Sequence, residues 1–259
     1  MLDAPDAARL PLAIAAAAVA GIVNSIAGGG TLLTFPALLA LGVSPAVANA
    51  TSTVALLPGA LSSMLGYRRE LRGVERWRTA ITVPSIIGGA LGAWAFLETR
   101  PADFARLVPW LVLGATALFM ANGAVMRLVR RDGSAATREE PRGPTIAMLA
   151  GQLAVGVYGG YFGAGVGILM LASLGFSGFS NIHRMNGLKN WGGFCMNFIA
   201  SLIFAFTGRV DWPIALSMAA AAVTFGYVGS RLAQRVGATP VRRAIVVVGL
   251  VSGVWMLAR

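Results

Sequence analysis

Apolar runs too long for a soluble core recur along this chain. Thr79 to Leu97, Leu107 to Met126, and Trp191 to Thr207 with its flanks reach the roughly 18 residues that mark a transmembrane helix. In hydrocarbon every backbone N–H and C=O must find a partner inside the protein, and a continuous apolar run does so as a helix. A barrel would need shorter segments of alternating polarity. With 56% hydrophobic residues, 12% charged residues and a mean hydropathy of +0.72, the chain is also far more apolar than a soluble domain. The expectation is an all-α, polytopic membrane protein. Its net charge of +11 does not point to nucleic acid, because the arginines cluster in short loops between apolar runs, without interleaved aromatics. Leu12 to Ala20 runs directly into a glycine motif and lacks a cleavage-type polar stop, so the first helices themselves are expected to insert the chain. Cys195 is the single cysteine and is expected to behave as a small hydrophobe.

The sequence reads as one motif written twice. Gly28-Gly29-Gly30-Thr31-Leu32-Leu33 matches Gly163-Ala164-Gly165-Val166-Gly167-Ile168 at an offset of 135 residues. Downstream, Leu41-Gly42 matches Leu174-Gly175, Asn49 to Thr53 matches Asn186 to Asn190, Gly73 to Trp77 matches Arg209 to Trp212, and Gly89 with Gly92 matches Gly226 with Gly229. Each half carries five apolar segments. They are Leu12 to Ala27, Leu32 to Leu41, Ala46 to Leu65, Thr79 to Leu97 and Leu107 to Met126, then Ile146 to Tyr158, Ile168 to Leu174, Leu188 to Thr207, Pro213 to Leu232 and Ala244 to Leu257. The division is a first membrane repeat over 1–126, a polar linker over 127–144 and a second repeat over 145–259. The first two segments of each repeat are short and broken by glycine; a re-entrant hairpin and two tilted helices both remain open. Trp77 and Trp212, repeat mates at segment starts, are expected as interfacial anchors.

Basic residues crowd Tyr67 to Arg78, the linker, and Arg231 to Arg243, which predicts those loops to be cytoplasmic. The loops at Arg100 and Arg209 and both termini are poorer in positive charge and are expected on the outer, periplasmic side. The loop at Arg72 and its counterpart at Arg209 then face opposite ways, so the two repeats have inverted topology. That architecture places a substrate site near the midplane, where short or glycine-interrupted helices meet.

All ten acidic residues fall in loops or at segment edges, which argues against a cation site or a proton relay built on carboxylates. Lys189 is the only lysine, against twenty arginines, and it stands between Asn186 and Asn190, two turns ahead of Asn197. A lysine extending its ammonium toward the headgroups is the competing reading. As a buried cation it would suit an anion, and broken helices expose N–H groups that suit the same ligand. The candidate binding residues are therefore Lys189, Asn186 and Asn190; Asn49, Thr51, Ser52 and Thr53; Asn24 and Ser25; and the breaks at Gly28, Gly29, Gly30, Thr31, Gly163 and Gly165. No cofactor and no metal is expected. A membrane-embedded enzyme would call for a cluster of His, carboxylate or Cys, which the apolar runs lack, and a scaffold without transport activity would have no use for a duplicated polar core.

Gly21-Ile22-Val23-Asn24-Ser25-Ile26-Ala27-Gly28-Gly29-Gly30-Thr31, followed by Pro36, Leu41-Gly42 and Ala48 to Ser52, resembles the opening of the sulfite exporter TauE/SafE family of bacterial permeases. Gly159 to Gly167, Asn186 to Lys189 and Val210 to Trp212 resemble its second half, so the likeness covers residues 10 to 257. Ala164 departs from the pattern where the first half has Gly29. The resemblance implies movement of small anions, chiefly sulfite, thiosulfate and organosulfonates, across the bacterial inner membrane. The partners it implies are a small anionic substrate and the lipid bilayer, with a homodimer left open.

Overall fold

Glycine decides where the helices of this chain stop. The computed structural model describes residues 10–26, 28–131, 143–179, 181–233 and 239–258, and among them it is helical with no strand. Leu10–Ile26 (α1) ends where Gly28 turns to a φ of 74° and its N–H returns to the Val23 carbonyl at 3.2 Å. Thr31–Ala40 (α2) ends the same way, with Gly42 at 82° and the Val43 N–H on the Leu38 carbonyl at 3.1 Å. Only glycine adopts this left-handed backbone without a steric cost. Pro45–Gly66 (α3), Glu75–Glu98 (α4) and Pro101–Arg131 (α5) complete the first half.

The second half repeats the device. Ile146–Tyr161 (α6) closes with Gly163 at φ 77° and its N–H on the Tyr158 carbonyl, and Val166–Phe176 (α7) closes with Gly178 at 95° and the Phe179 N–H on the Leu174 carbonyl. Ile182–Ala205 (α8), Trp212–Ala233 (α9) and Thr239–Leu257 (α10) follow. Gly73 and Gly208, at φ 83° and 69°, turn the chain before α4 and α9.

The ten apolar segments fall on the ten helices, with four differences from expectation. Asn181 caps α8, its side-chain oxygen accepting from His183 N at 3.0 Å and Arg184 N at 3.3 Å, so the helix starts at Ile182 and not at Leu188. Asn186, Lys189 and Asn190 thus lie inside a helix and not at its mouth. The backbone mate of Gly42 is Gly178, whereas Gly175 lies within α7. Helix α5 continues to Arg131, past the boundary at 126; residues 132–142 of the linker lie outside the described residues. Trp77 is buried against Phe179, ring centroids 4.7 Å apart, and is no interfacial anchor; Trp212 is 44% exposed.

The halves exchange partners. Helix α4 packs along α6 and α8 of the second half, and α9 packs along α1 and α3 of the first. At each seam glycines let backbones touch: a Cβ on Gly92 would stand 2.0 Å from the Val157 carbonyl oxygen, and one on Gly229 would stand 2.5 Å from Ile22 Cα. Gly89 meets Gly160 of α6 and Met196 of α8, while Gly226 receives Gly21 of α1 and Gly59 of α3. Such small-residue contacts drive helix association where the surroundings are already apolar. Around the outside, Trp94, Trp110, Met120, Leu216, Val251 and Val254 are at least 60% exposed, an apolar surface suited to lipid.

By length and composition, Glu75–Glu98, Pro101–Ala121 and Trp212–Arg231 can each cross a membrane. Helices α3 and α8, of 22 and 24 residues, are as long but carry the polar side chains of the core. Helices α2 and α7, of 10 and 11 residues, extend only about 15 Å at 1.5 Å per residue, half of a hydrocarbon layer of about 30 Å.

Candidate functional site

Lys189 does not reach for the surface. It is 3% exposed, and its ammonium donates to the carbonyls of Asn24 and Ser25, each at 3.4 Å. Those carbonyls belong to the last turn of α1, which Gly28 leaves without a following turn to pair them. The end of a helix carries a partial negative charge, so the α1 terminus holds the cation without a carboxylate. The geometry thus decides against the headgroup-seeking alternative.

Gly28 presses on the other half. A Cβ there would lie 2.7 Å from Gly167 Cα, which places the first glycine break against the start of α7. Beside this contact is a cavity with about 380 Å³ of empty space, including the part open to the exterior. From the first half, Asn24, Gly28, Ala60 and Ser63 line it. From the second come Gly167 and four residues of α8 spaced for one helical face, Lys189, Asn190, Gly193 and Asn197. Val166, Met170 and Phe194 make the wall apolar. Asn190 is 8% exposed, and its Nδ2 is buried without a hydrogen-bond partner. Asn197 Nδ2 donates to the Gly193 carbonyl at 2.8 Å.

Four of the sequence candidates therefore meet here: Lys189, Asn190, Asn24 and Gly28. Ser25 sits behind the cavity as a pin, its Oγ 2.6 Å from Ser63 Oγ and 2.8 Å from the Gly226 carbonyl of α9. Gly30 donates its N–H to Asn24 Oδ1 at 3.4 Å and opens α2, of which Thr31 is the first residue. Gly29 is a packing position, since a Cβ would strike the Phe119 ring of α5. Gly163 and Gly165 shape the α6 to α7 turn, with Gly165 facing Ala115 of α5. Asn186 lies a turn before Lys189, and its Oδ1 is buried without a partner.

The Asn49 to Thr53 group lies elsewhere. Asn49 Nδ2 donates to the Tyr161 carbonyl at 3.0 Å, Thr51 Oγ1 accepts from Asp211 N at 2.9 Å, Ser52 Oγ lies 2.5 Å from Thr34 Oγ1, and Ser201 of α8 donates to the Thr53 carbonyl at 3.3 Å. Thr53 meets Ser201 near the end of α8, whereas Ser63 shares the cavity with Lys189 near its start. Helices α3 and α8 thus run antiparallel, and the two polar groups stand about 20 Å apart along α3 at 1.5 Å per residue. They are mates: in each half the third helix donates a side-chain N–H to the carbonyl end of the other half's first helix, Lys189 to α1 and Asn49 to α6.

Ser63, Gly167, Met170, Phe194 and Asn197 are cavity residues outside the sequence candidates. Asn197 carried a signal, since it continues the Lys189, Gly193 face at helical spacing. Ser63 carried none until the antiparallel pairing of α3 and α8 was known. Among the described residues no group of His, Cys, Asp or Glu is placed to hold a metal ion.

The ten helices of the described residues, with an apolar exterior and a buried lysine between two interlocked halves, are those of a polytopic membrane protein. The family model for the sulfite exporter TauE/SafE matches residues 13–256, and the chain belongs to that family. It is 28% identical to a Haemophilus influenzae protein named "Probable membrane transporter protein", across 88% of this chain and 87% of the relative. It is 29% identical to "Probable membrane transporter protein YfcA" of Escherichia coli K12, across 93% and 87%. The protein named "Probable membrane transporter protein ORF9" of Sinorhizobium sp is likewise 29% identical, across 94% and 90%.

Proposed function

We propose that this protein carries small oxyanions or organosulfur anions, with sulfite, thiosulfate and organosulfonates as the leading substrates, by alternating access around the Lys189 cavity. The carrying observation is the buried ammonium, held among the described residues by two backbone carbonyls at the junction of two glycine-broken helices. An anion that enters offers the cation a better partner than carbonyl oxygens at 3.4 Å, because it adds the attraction between two full charges, which is strong where water is largely excluded. Asn24, Asn190 and Asn197 would bond its remaining oxygens. Release of the α1 end then lets the interlocked halves rock. The proposal places the protein in a bacterial inner membrane, with 127–144 cytoplasmic, both termini outside and the repeats inverted. Cysteines introduced at Arg72 and Arg209 should accordingly be labelled from opposite sides by an impermeant maleimide; labelling from one side would sink the inverted arrangement.

The functional test is uptake of radiolabelled sulfite into proteoliposomes, competed by thiosulfate and by a sulfonate, for wild type and Lys189→Ala. Losing a hydrogen bond to a charged group costs about 1.5–3 kcal/mol, so uptake at low substrate should fall by at least about tenfold. A thermal midpoint measured alongside separates this from loss of the α1 anchor. Undiminished uptake in a folded Lys189→Ala protein would move the site to the backbone groups of the glycine breaks.

A further inference from the structure

We infer that the Lys189 cavity selects a small anion with one negative charge and a short apolar end over dianions of similar size; this rests on the transport reading above and, among its substrates, ranks the organosulfonates ahead of thiosulfate. Among the described residues Lys189 supplies the only positive side chain on its lining, with no arginine or histidine beside it. Two of the three ammonium protons point to the Asn24 and Ser25 carbonyls before a ligand arrives, so an entering anion meets one free proton and gains the others only as it displaces the α1 end. The α1 terminus also offsets part of the charge, because a helix end carries roughly half a negative unit. The start of α7, at Val166 and Gly167, returns a similar positive fraction, so the field that a ligand meets is that of about one cation. A first negative charge is compensated by it, whereas a second would be buried without a partner, the situation that interiors tolerate least.

The rest of the lining agrees. Asn24, Asn190 and Asn197 are neutral amides, able to orient oxygens without adding charge, and the unpartnered Asn190 Nδ2 is a donor already stripped of solvent. Between and beside them, Met170, Phe194, Val166 and Ala60 present carbon to the same cavity. That wall accepts a methyl or methylene group, and it provides nothing to replace the tightly held water of a dianion. A monovalent alkanesulfonate or a similar monoanion satisfies both kinds of lining at once.

Probes of fixed charge test this without interference from titration of the ligand. In wild-type proteoliposomes, methanesulfonate and ethanesulfonate should inhibit labelled sulfite uptake at concentrations at least about tenfold below those of sulfate and thiosulfate. Equal or stronger inhibition by the dianions would overturn the charge rule and leave the transport reading standing. Asn190→Lys, which adds a second cation to the same wall, should close or reverse the gap in favour of thiosulfate. A folded Asn190→Lys protein that keeps the wild-type ranking would also overturn the inference. If no anion of either charge inhibits or enters, the transport reading itself fails, and the inference with it.

Discussion

Replacing Gly28 with valine is expected to lower the stability of the fold by about 3 kcal/mol, well beyond the loss at a glycine of the same backbone sign elsewhere. Its φ of 74° is a left-handed conformation that costs an L-residue about 1–2 kcal/mol. The new Cβ would stand 2.7 Å from Gly167 Cα, a backbone atom that cannot rotate away, and overpacking of this kind adds about 1–3 kcal/mol. The sum, about 3 kcal/mol, is a large part of a typical stability of about 5–15 kcal/mol. Gly42→Ala is the control. Gly42 has the same backbone sign, φ 82°, but no atom lies within 4 Å of its Cβ position, so only the conformational penalty of about 1 kcal/mol applies. Thermal midpoints in detergent read the difference. A Gly28→Val protein as stable as Gly42→Ala would show that the two glycine breaks do not bear on one another.

The helices were legible because their physics is local. Apolar runs of membrane length and the glycine breaks at Gly28 and Gly163 act within a few residues, and the first boundaries of each half follow from them, whereas the sequence match points to Gly175 for the stop that falls at Gly178. Six residues at the start of α8 were missed because Asn181 caps a stretch that reads as polar loop, Ile182 to Gly187, before the apolar run starts. Lys189 was legible from rarity, being one lysine among twenty arginines, and Asn190 came with it by adjacency.

The Asn49 to Thr53 group shows what sequence comparison does not give. Its match to Asn186 to Asn190 sets Asn49 against Asn186, whereas the corresponding bonds to opposite helix ends are made by Asn49 and by Lys189, which the match sets against Ser52. Equivalence is not proximity. Because α3 and α8 run antiparallel, the elements that share a place in the repeat stand at opposite ends of the pair, and what faces Lys189 is the far end of α3, at Ala60 and Ser63. The asymmetry of the charge then acquires a meaning. One repeat holds the partner's helix end with a neutral amide and the other with an ammonium, so under the proposed mechanism only the Lys189 junction would release its helix to an anion.

Leucine at Gly92 or at Gly229 is expected to pull the halves apart. These glycines lie at mirrored places in the exchange of helices, Gly92 of α4 on α6 and Gly229 of α9 on α1. A Cβ at Gly92 would stand 2.0 Å from the Val157 carbonyl oxygen and 2.7 Å from Tyr161 N, and one at Gly229 would stand 2.5 Å from Ile22 Cα. All three obstacles are main-chain atoms, so relief requires moving a whole helix and not a rotamer, and each change should cost about 3 kcal/mol or more. Neither residue lines the Lys189 cavity, so a direct effect on a ligand is not in play. Gly114→Leu in α5 supplies the comparison, because no atom lies within 4 Å of its Cβ position. The expected result is a normal elution profile and midpoint for Gly114→Leu, with early-eluting or aggregated protein for the other two. Should Gly92→Leu and Gly229→Leu both elute and melt like wild type, the close glycine seams would not hold the two halves together, and rocking of those halves about the Lys189 cavity would lose its mechanical basis.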